Sequence, residues 1–343
     1  MVERAAAKGR FNGTVVVARN GLILFRRDVG LASLELGVPI DRRTRFRIFS
    51  TTKHFTAHAV LLLESEGVLS IDDPAKKFIP EMPDAWGAVT VRHLLTHTSG
   101  LPLNEQDLAT HALPSQSAMV AAACAAAGER GLGAVPGTTF AYSNAGYTVL
   151  GAIVERASGM GYEAFVQARI FRPAGMADTG FDRGAFGRPV APGSDLGAVV
   201  IAGLASGYIG EPGSVCPAVA GVYPIQGAGG IYSTADDLLR YERGLRSGVL
   251  LSERVQKRMV EEAFVRPGAG AVGVGLGWFI RERHGLQVVH HSGGTNGFVC
   301  DFARVPAAGV CVIVLSNFGF VDPEGLRDEV LEEVFAEGSA RGG

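Results

Sequence analysis

The stretch Ser50-Thr51-Thr52-Lys53-His54-Phe55-Thr56-Ala57-His58-Ala59-Val60-Leu61-Leu62-Leu63-Glu64 reads as one helix, rich in alanine, valine and leucine. Three residues apart on a helix, Ser50 and Lys53 share a face, so the amine can lie beside the hydroxyl. A lone Ser-x-x-Lys is more often a helix cap followed by a surface lysine. Here Phe55, Ala57, Ala59, Val60 and Leu61 follow, which predicts a buried helix and leaves a surface lysine badly placed. Burial and the helix N-terminus both favour an uncharged amine, and an uncharged amine can take the serine proton. The pair therefore reads as an activated nucleophile. Lysine is scarce elsewhere, with only Lys8, Lys76, Lys77 and Lys257 besides Lys53.

Outward from this helix, residues 14–19 and 22–27 are β-rich and are joined by Asn20-Gly21, which supplies the positive φ angles of a tight hairpin. At the other end, residues 276–281, 287–290, 297–302 and 309–315 are strand-like, and a helical pattern over 322–336 follows. Between these lie helical patterns at 90–97, 117–127, 145–157 and 234–245. The economical reading is an α/β protein of the α+β type. An antiparallel sheet is drawn from the N- and C-terminal segments and flanked by helices, and a mainly helical region is inserted. That makes one catalytic domain over 1–343, with a sheet part at 1–48 and 272–343, a helical part at 49–271, and a cleft at their junction. Residues 184–226 show little periodicity and read as an irregular excursion over that cleft.

Composition narrows the function. Of the 343 residues, 47% are apolar and 19% charged, which excludes a disordered chain. A net charge of -2 gives no global attraction to nucleic acid or anionic membranes, so the expected partner is a small molecule or short peptide and not nucleic acid. The longest uncharged stretch, 212–235, could span a bilayer by length, but Pro212, Pro217, Pro224 and five glycines interrupt it, so no transmembrane segment is expected. Residues 1–11 lack the apolar core of a secretory leader, which implies a cytoplasmic protein, or a periplasmic or secreted one if a leader has been removed. Cys124, Cys216, Cys300 and Cys311 form no Cys-x-x-Cys pair and read as small buried hydrophobes without a disulfide framework.

Two further motifs stand beside the helix. Tyr142-Ser143-Asn144 is the only Tyr-x-Asn in the chain and precedes a helical pattern, with Ser143 or Asn144 available as its cap. His291-Ser292-Gly293-Gly294 follows an apolar run over 286–289, which puts His291 at a strand end where two glycines let a ligand approach the backbone. With Ser50-x-x-Lys53, Tyr142-x-Asn144 and His291-x-Gly293 in this order, the chain resembles the serine penicillin-recognising hydrolases. That group is the serine β-lactamase and penicillin-binding-protein-like family, with class C β-lactamases, D-Ala-D-Ala carboxypeptidases, D-aminopeptidases and β-lactamase-like esterases. Leu94-Leu95-Thr96-His97-Thr98-Ser99-Gly100-Leu101, Pro173-Ala174-Gly175-Met176 and Gly230-Ile231-Tyr232-Ser233-Thr234-Ala235 also resemble family signatures. The likeness runs from Gly13 to about Phe335.

The resemblance implies a β-lactamase/transpeptidase-like fold and a serine hydrolase working through an acyl-enzyme. Ser50 would be acylated, Lys53 and Tyr142 would share the general-base work, and Tyr142 would protonate the leaving group. Asn144 would hold Lys53 and the substrate amide. His291, Ser292, Gly293 and Gly294 would line the substrate, and the backbone N–H groups of Ser50 and Gly294 would form an oxyanion hole. Class C β-lactamases carry lysine where this chain has His291. A histidine, ordinarily near ~6.5, is only partly charged at pH 7, so a fixed cationic anchor for a substrate carboxylate is lost. An ester, a D-amino-acid amide or a peptide is thereby favoured over efficient β-lactam hydrolysis. The alternative is a non-hydrolytic penicillin-binding sensor or scaffold with the same fold. No cofactor or metal is expected: His54/His58 and His93/His97 have zinc-ligand spacing on helical faces but lack the glutamate of His-Glu-x-x-His. The Gly-x-Ser-x-Gly of α/β-hydrolases does not occur. Acyl stereochemistry and oligomeric state stay open.

Overall fold

The computed structural model describes residues 2–110, 115–182, 200–218, 225–261, 263–265, 273–295 and 297–340. Its N-terminal hairpin pairs β1 (Gly13–Arg19) with β2 (Leu22–Val29). Both turn residues take positive φ, 52° at Asn20 and 77° at Gly21, as a two-residue turn between twisted strands requires. The far end of the chain contributes β3 (Phe264–Val265), β4 (Gly273–Val274), β5 (Phe279–Arg283), β6 (Leu286–Thr295), β7 (Phe298–Val305) and β8 (Val310–Ser316). The strand order is β3-β4-β5-β6-β7-β8-β1-β2, antiparallel at every pairing, so β1 closes against β8 and the two ends make one sheet.

Side chains alternate across a strand, and here both faces are covered. Val16 and Ala18 of β1, with Ile313 and Leu315 of β8, join one apolar cluster; Val15 and Val17, with Val312 and Val314, join a second on the opposite face. Two buried faces explain why these strands read as near-continuous apolar runs. The helical region supplies α1 (Thr52–Ser65), α2 (Val91–Leu95), α3 (Glu105–Thr110), α4 (Gln116–Ala127) and α5 (Asn144–Ser158), followed by α6 (Ala235–Arg246) and the closing α7 (Pro323–Ala340). Every residue of α1 from Thr52 to Leu61 is buried, so that part of the helix is covered on every face and threads the core. α7 covers the second cluster through Val330 and Leu331.

Four details depart from the sequence reading. β6 runs on through His291 to Thr295, paired with β7 from His291↔Phe302 to Thr295↔Phe298, so His291 lies within a strand and not at its end. The pairing of β5 with β6 ends at Phe279↔His290, so among the described residues no strand pairs with the other edge of residues 291–295. Within 200–218, Tyr208–Glu211 pairs with Ser214–Pro217 as a hairpin, where an irregular excursion was expected; residues 183–199 and 219–224 of that segment lie outside the described residues. Cys216 is exposed in this hairpin, whereas Cys124, Cys300 and Cys311 are buried as expected, and all four are free thiols. Finally, β3 joins the sheet and α6 packs on β1 and β8 from within 49–271. The division into a sheet part at 1–48 and 272–343 and a helical part at 49–271 is therefore kept as a proposal. Among the described residues no helix is long and apolar enough to cross a membrane.

Burial on both faces sets the cost of core truncation. Ile313, fully buried in β8, should lose about 2–5 kcal/mol on replacement by alanine, whereas Leu22→Ser on the exposed edge of β2 should stay within about 0.5 kcal/mol. Urea unfolding of both variants checks this; equal losses would contradict the layer assignment.

Candidate active site

A single turn of 3-10 helix, Phe49–Thr51, leads into α1. Phe49 takes φ 39°, a left-handed conformation that bulky residues seldom adopt. The Ser50 hydroxyl caps neither helix, so the ordinary capping role is absent. Its neighbour is Lys53 Nζ at 3.2 Å. Lys53 is fully buried, and its nitrogen also meets Asn144 Oδ1 at 2.6 Å and Ala228 O at 2.8 Å. Burial pushes the Lys53 amine well below the ordinary lysine range, opposed by the negative charge of Glu105. An uncharged amine has two N–H bonds and one lone pair. The two pure acceptors, Asn144 Oδ1 and Ala228 O, take the N–H bonds, and the lone pair faces the Ser50 hydroxyl.

Tyr142 closes the other side. It lines the same cleft as Ser50, and Lys53 Nζ lies 4.8 Å from its ring centroid. The side chain is 42% exposed, yet its surroundings push the phenol above its ordinary range, chiefly by burial. The loop that holds it is built locally. Ser143 caps α5 by accepting from the Gly146 N–H at 2.9 Å, and the Ser143 N–H donates to His97 Nδ1 at 3.0 Å. His97 also stacks 4.4 Å from the Tyr142 ring.

Glu105 was invisible to the sequence reading. Its Oε1 accepts from Asn144 Nδ2 at 2.6 Å. A carboxylate only accepts, so it turns the amide nitrogen toward itself and aims the amide oxygen at Lys53. The available signal was the reciprocal cap Asn104-x-x-Asp107, with both side-chain to backbone bonds at 3.0 Å, which sets Glu105 in the first turn of α3.

β6 forms the cleft wall. A Cβ at Gly293 would fall 2.2 Å from Ile48 O and 2.9 Å from the Ser50 nitrogen, so only glycine lets the strand pack on the turn that carries Ser50. Thr51 Oγ1 ties the same turn to β6 by donating to His291 O at 3.1 Å. Ser50, Tyr142, Ser292, Gly293 and Gly294 line a 350 Å³ cleft, with Arg281 and Glu324 at its rim. His291 reaches the same cleft but is buried; its Nδ1 donates to Ser292 O at 2.6 Å, and burial together with Lys53 pushes it down to about 3. The partial charge expected of His291 at pH 7 is thus corrected: desolvation keeps it neutral. A second cavity of 470 Å³ lies against α6 and holds none of these groups.

The four histidines with zinc-like spacing have other work. His54 stacks on Trp278 at 4.6 Å and His58 bonds the Tyr241 hydroxyl and Leu250 O. His93 Nδ1 accepts from the Thr90 N–H, and α2 ends at Leu95, so His97 at φ 57° does not share its face, contrary to expectation. Among the described residues His290, Asp301 and Glu324 do cluster, with ligand atoms within 4.8 Å. Arg327 Nη1 lies 2.9 Å from His290 Nδ1 and 3.0 Å from Asp301 Oδ2, so a fixed cation already fills that cluster.

Sheet, buried Ser-x-x-Lys helix and flanking helices together define the β-lactamase/transpeptidase fold. A family model described as Beta-lactamase matches residues 1–335, and the chain belongs to that family. It is 32% identical to Penicillin-binding protein 4* of Bacillus subtilis (strain 168), over 92% of this chain and 70% of that protein. It is 34% identical to Esterase EstB of Burkholderia gladioli, over 80% of this chain and 76% of that protein. The crystal structure of a penicillin binding protein from Bacillus halodurans matches with a TM-score of 0.75 at 28% identity, covering 93% of this chain and 94% of that one.

Glu105 stabilises the charged form of Lys53, so its neutralisation should lower the proton affinity of the amine. For Glu105→Gln, the acid limb of kcat/KM for a neutral ester should move to lower pH, because Lys53 loses its proton earlier. A pH profile from about 4.5 to 9 checks this. A uniform loss of rate with an unmoved limb would mean that Glu105 only positions Asn144.

Proposed function

We propose that the protein is a serine hydrolase that cleaves an ester, amide or peptide through an acyl-enzyme on Ser50. The observation that carries this reading is the Ser50 hydroxyl, which caps neither helix and is held 3.2 Å from a fully buried lysine nitrogen in a cleft that Tyr142 also lines. Lys53 has surroundings that favour its uncharged form, and Tyr142 has surroundings that disfavour the phenolate. In acylation Ser50 Oγ bonds to the substrate carbonyl carbon as its proton passes to Lys53 Nζ. The backbone N–H groups of Ser50 and Gly294 stabilise the oxyanion. Collapse breaks the bond to the leaving group, which takes the Tyr142 proton, and Lys53 returns a proton to Tyr142. Water then attacks the acyl carbon by the reverse relay and frees Ser50. Asn144 holds Lys53, and the edge of β6 from His291 to Gly294 offers backbone groups to the substrate.

Among acyl donors, we favour esters and amides over β-lactams. The neutral His291 supports this choice, since it supplies no positive charge for a penicillin carboxylate. The name of the relative Esterase EstB points the same way.

Ser50→Ala should abolish p-nitrophenyl ester turnover and fluorophosphonate labelling while the thermal midpoint stays within a few degrees. Labelling retained on another serine would refute the assignment. Penicillin acylation of Ser50 without turnover of any ester or amide would instead favour the sensor or scaffold.

A further inference from the structure

At the rim of the cleft, the protein's own carboxylate occupies a carboxylate-binding pair. Ser292 Oγ donates to Glu324 Oε1 at 2.7 Å, and Arg281 Nη2 lies 3.0 Å from Glu324 Oε2. One donor comes from β6 and the other from β5, and each takes one oxygen. A hydroxyl and a guanidinium converging on the two oxygens of one carboxylate form a donor set suited to a substrate carboxylate. Arg281, Ser292 and Glu324 all line the cleft that holds Ser50.

Glu324 is held in place from behind. It stands in the first turn of α7, where the helix terminus favours an anion. One turn on, the fully buried Arg327 brings Nη2 to 3.8 Å from the same Oε2, and is itself bound by Asp301 at 3.0 Å and Asp328 at 2.8 Å. A substrate carboxylate arriving beside Ser292 would meet a fixed like charge and would have to break one charge-assisted hydrogen bond and one ion pair.

We propose that Glu324 is a specificity-determining residue, an internal stand-in that closes the carboxylate subsite and restricts the enzyme to acyl donors whose arm beside Ser292 is uncharged. The proposal rests on the serine-hydrolase reading and names the substrate class of that site: neutral esters and amides, and not substrates ending there in a free carboxylate.

The test reads binding apart from turnover. In a Ser50→Ala background, calorimetry gives the dissociation constants of N-acetyl-alanine and N-acetyl-alaninamide, in both enantiomers, with and without Glu324→Gln. Glutamine still accepts from Ser292 but frees Arg281 from its counter-charge. The acid-to-amide affinity ratio should rise about ten- to hundredfold, the span of one charge-assisted hydrogen bond, and the gain should vanish when Arg281→Ala is added. Arg281→Ala alone leaves Glu324 without that guanidinium and should not raise the ratio. An unchanged ratio in Glu324→Gln, a gain that survives loss of Arg281, no detectable acid binding to Glu324→Gln, or a ratio that rises in Arg281→Ala alone would overturn the proposal. Failure of the hydrolase reading would appear separately, as protein with Ser50 intact that hydrolyses no ester and takes no label at Ser50.

Discussion

A lysine nitrogen with no contact with water is the constraint around which the rest of the molecule is arranged. Lys53 lies on a helix buried on all sides, and such a helix needs a layer against every face. The two-faced sheet supplies one, α5 another, and the short helix Gln226–Gly229, which carries the Ala228 carbonyl, a third. An isolated ammonium in such a place is costly, so loss of its proton is the economical response. The same arrangement leaves the nitrogen lone pair nowhere to point but at Ser50. Fold and chemistry are joined at this one atom.

The charges around the cleft follow a consistent plan. Lys53 and His291 are both pushed toward their neutral forms by burial, and the Lys53 amine further disfavours charge on His291. Two carboxylates, Glu105 and Glu324, accept from Asn144 and Ser292 respectively. Among the described residues that line the cleft, polar groups are present and the one arginine, Arg281, is paired.

Much of this was legible in the sequence where it depended on local periodicity. Asn20-Gly21 announced the hairpin, the apolar runs at both ends announced a sheet shared between them, and the residues after Lys53 announced a buried helix. Ser50, Lys53, Tyr142 and Asn144 could be singled out because motif spacing on helices and caps is short-range. The roles of Glu105, His97 and Glu324 were not legible, since each acts through tertiary packing on a partner 32 to 46 residues away. His291 was placed at a strand end and given partial charge; the strand continues, buries the ring, and removes the charge. Spacing identified the residue, but only the packing of β6 against the turn that carries Ser50 decides its protonation.

The central claim is the uncharged state of Lys53, and it can be read directly. With only five lysines in the chain, labelling with 15N at Nζ gives a spectrum simple enough to assign by substitution. The account predicts that the Lys53 resonance already has the shift of a neutral amine at neutral pH and titrates far to the acid side of the ordinary lysine value of ~10.4. A Lys53 resonance that stays an ammonium until about pH 10 would contradict the account.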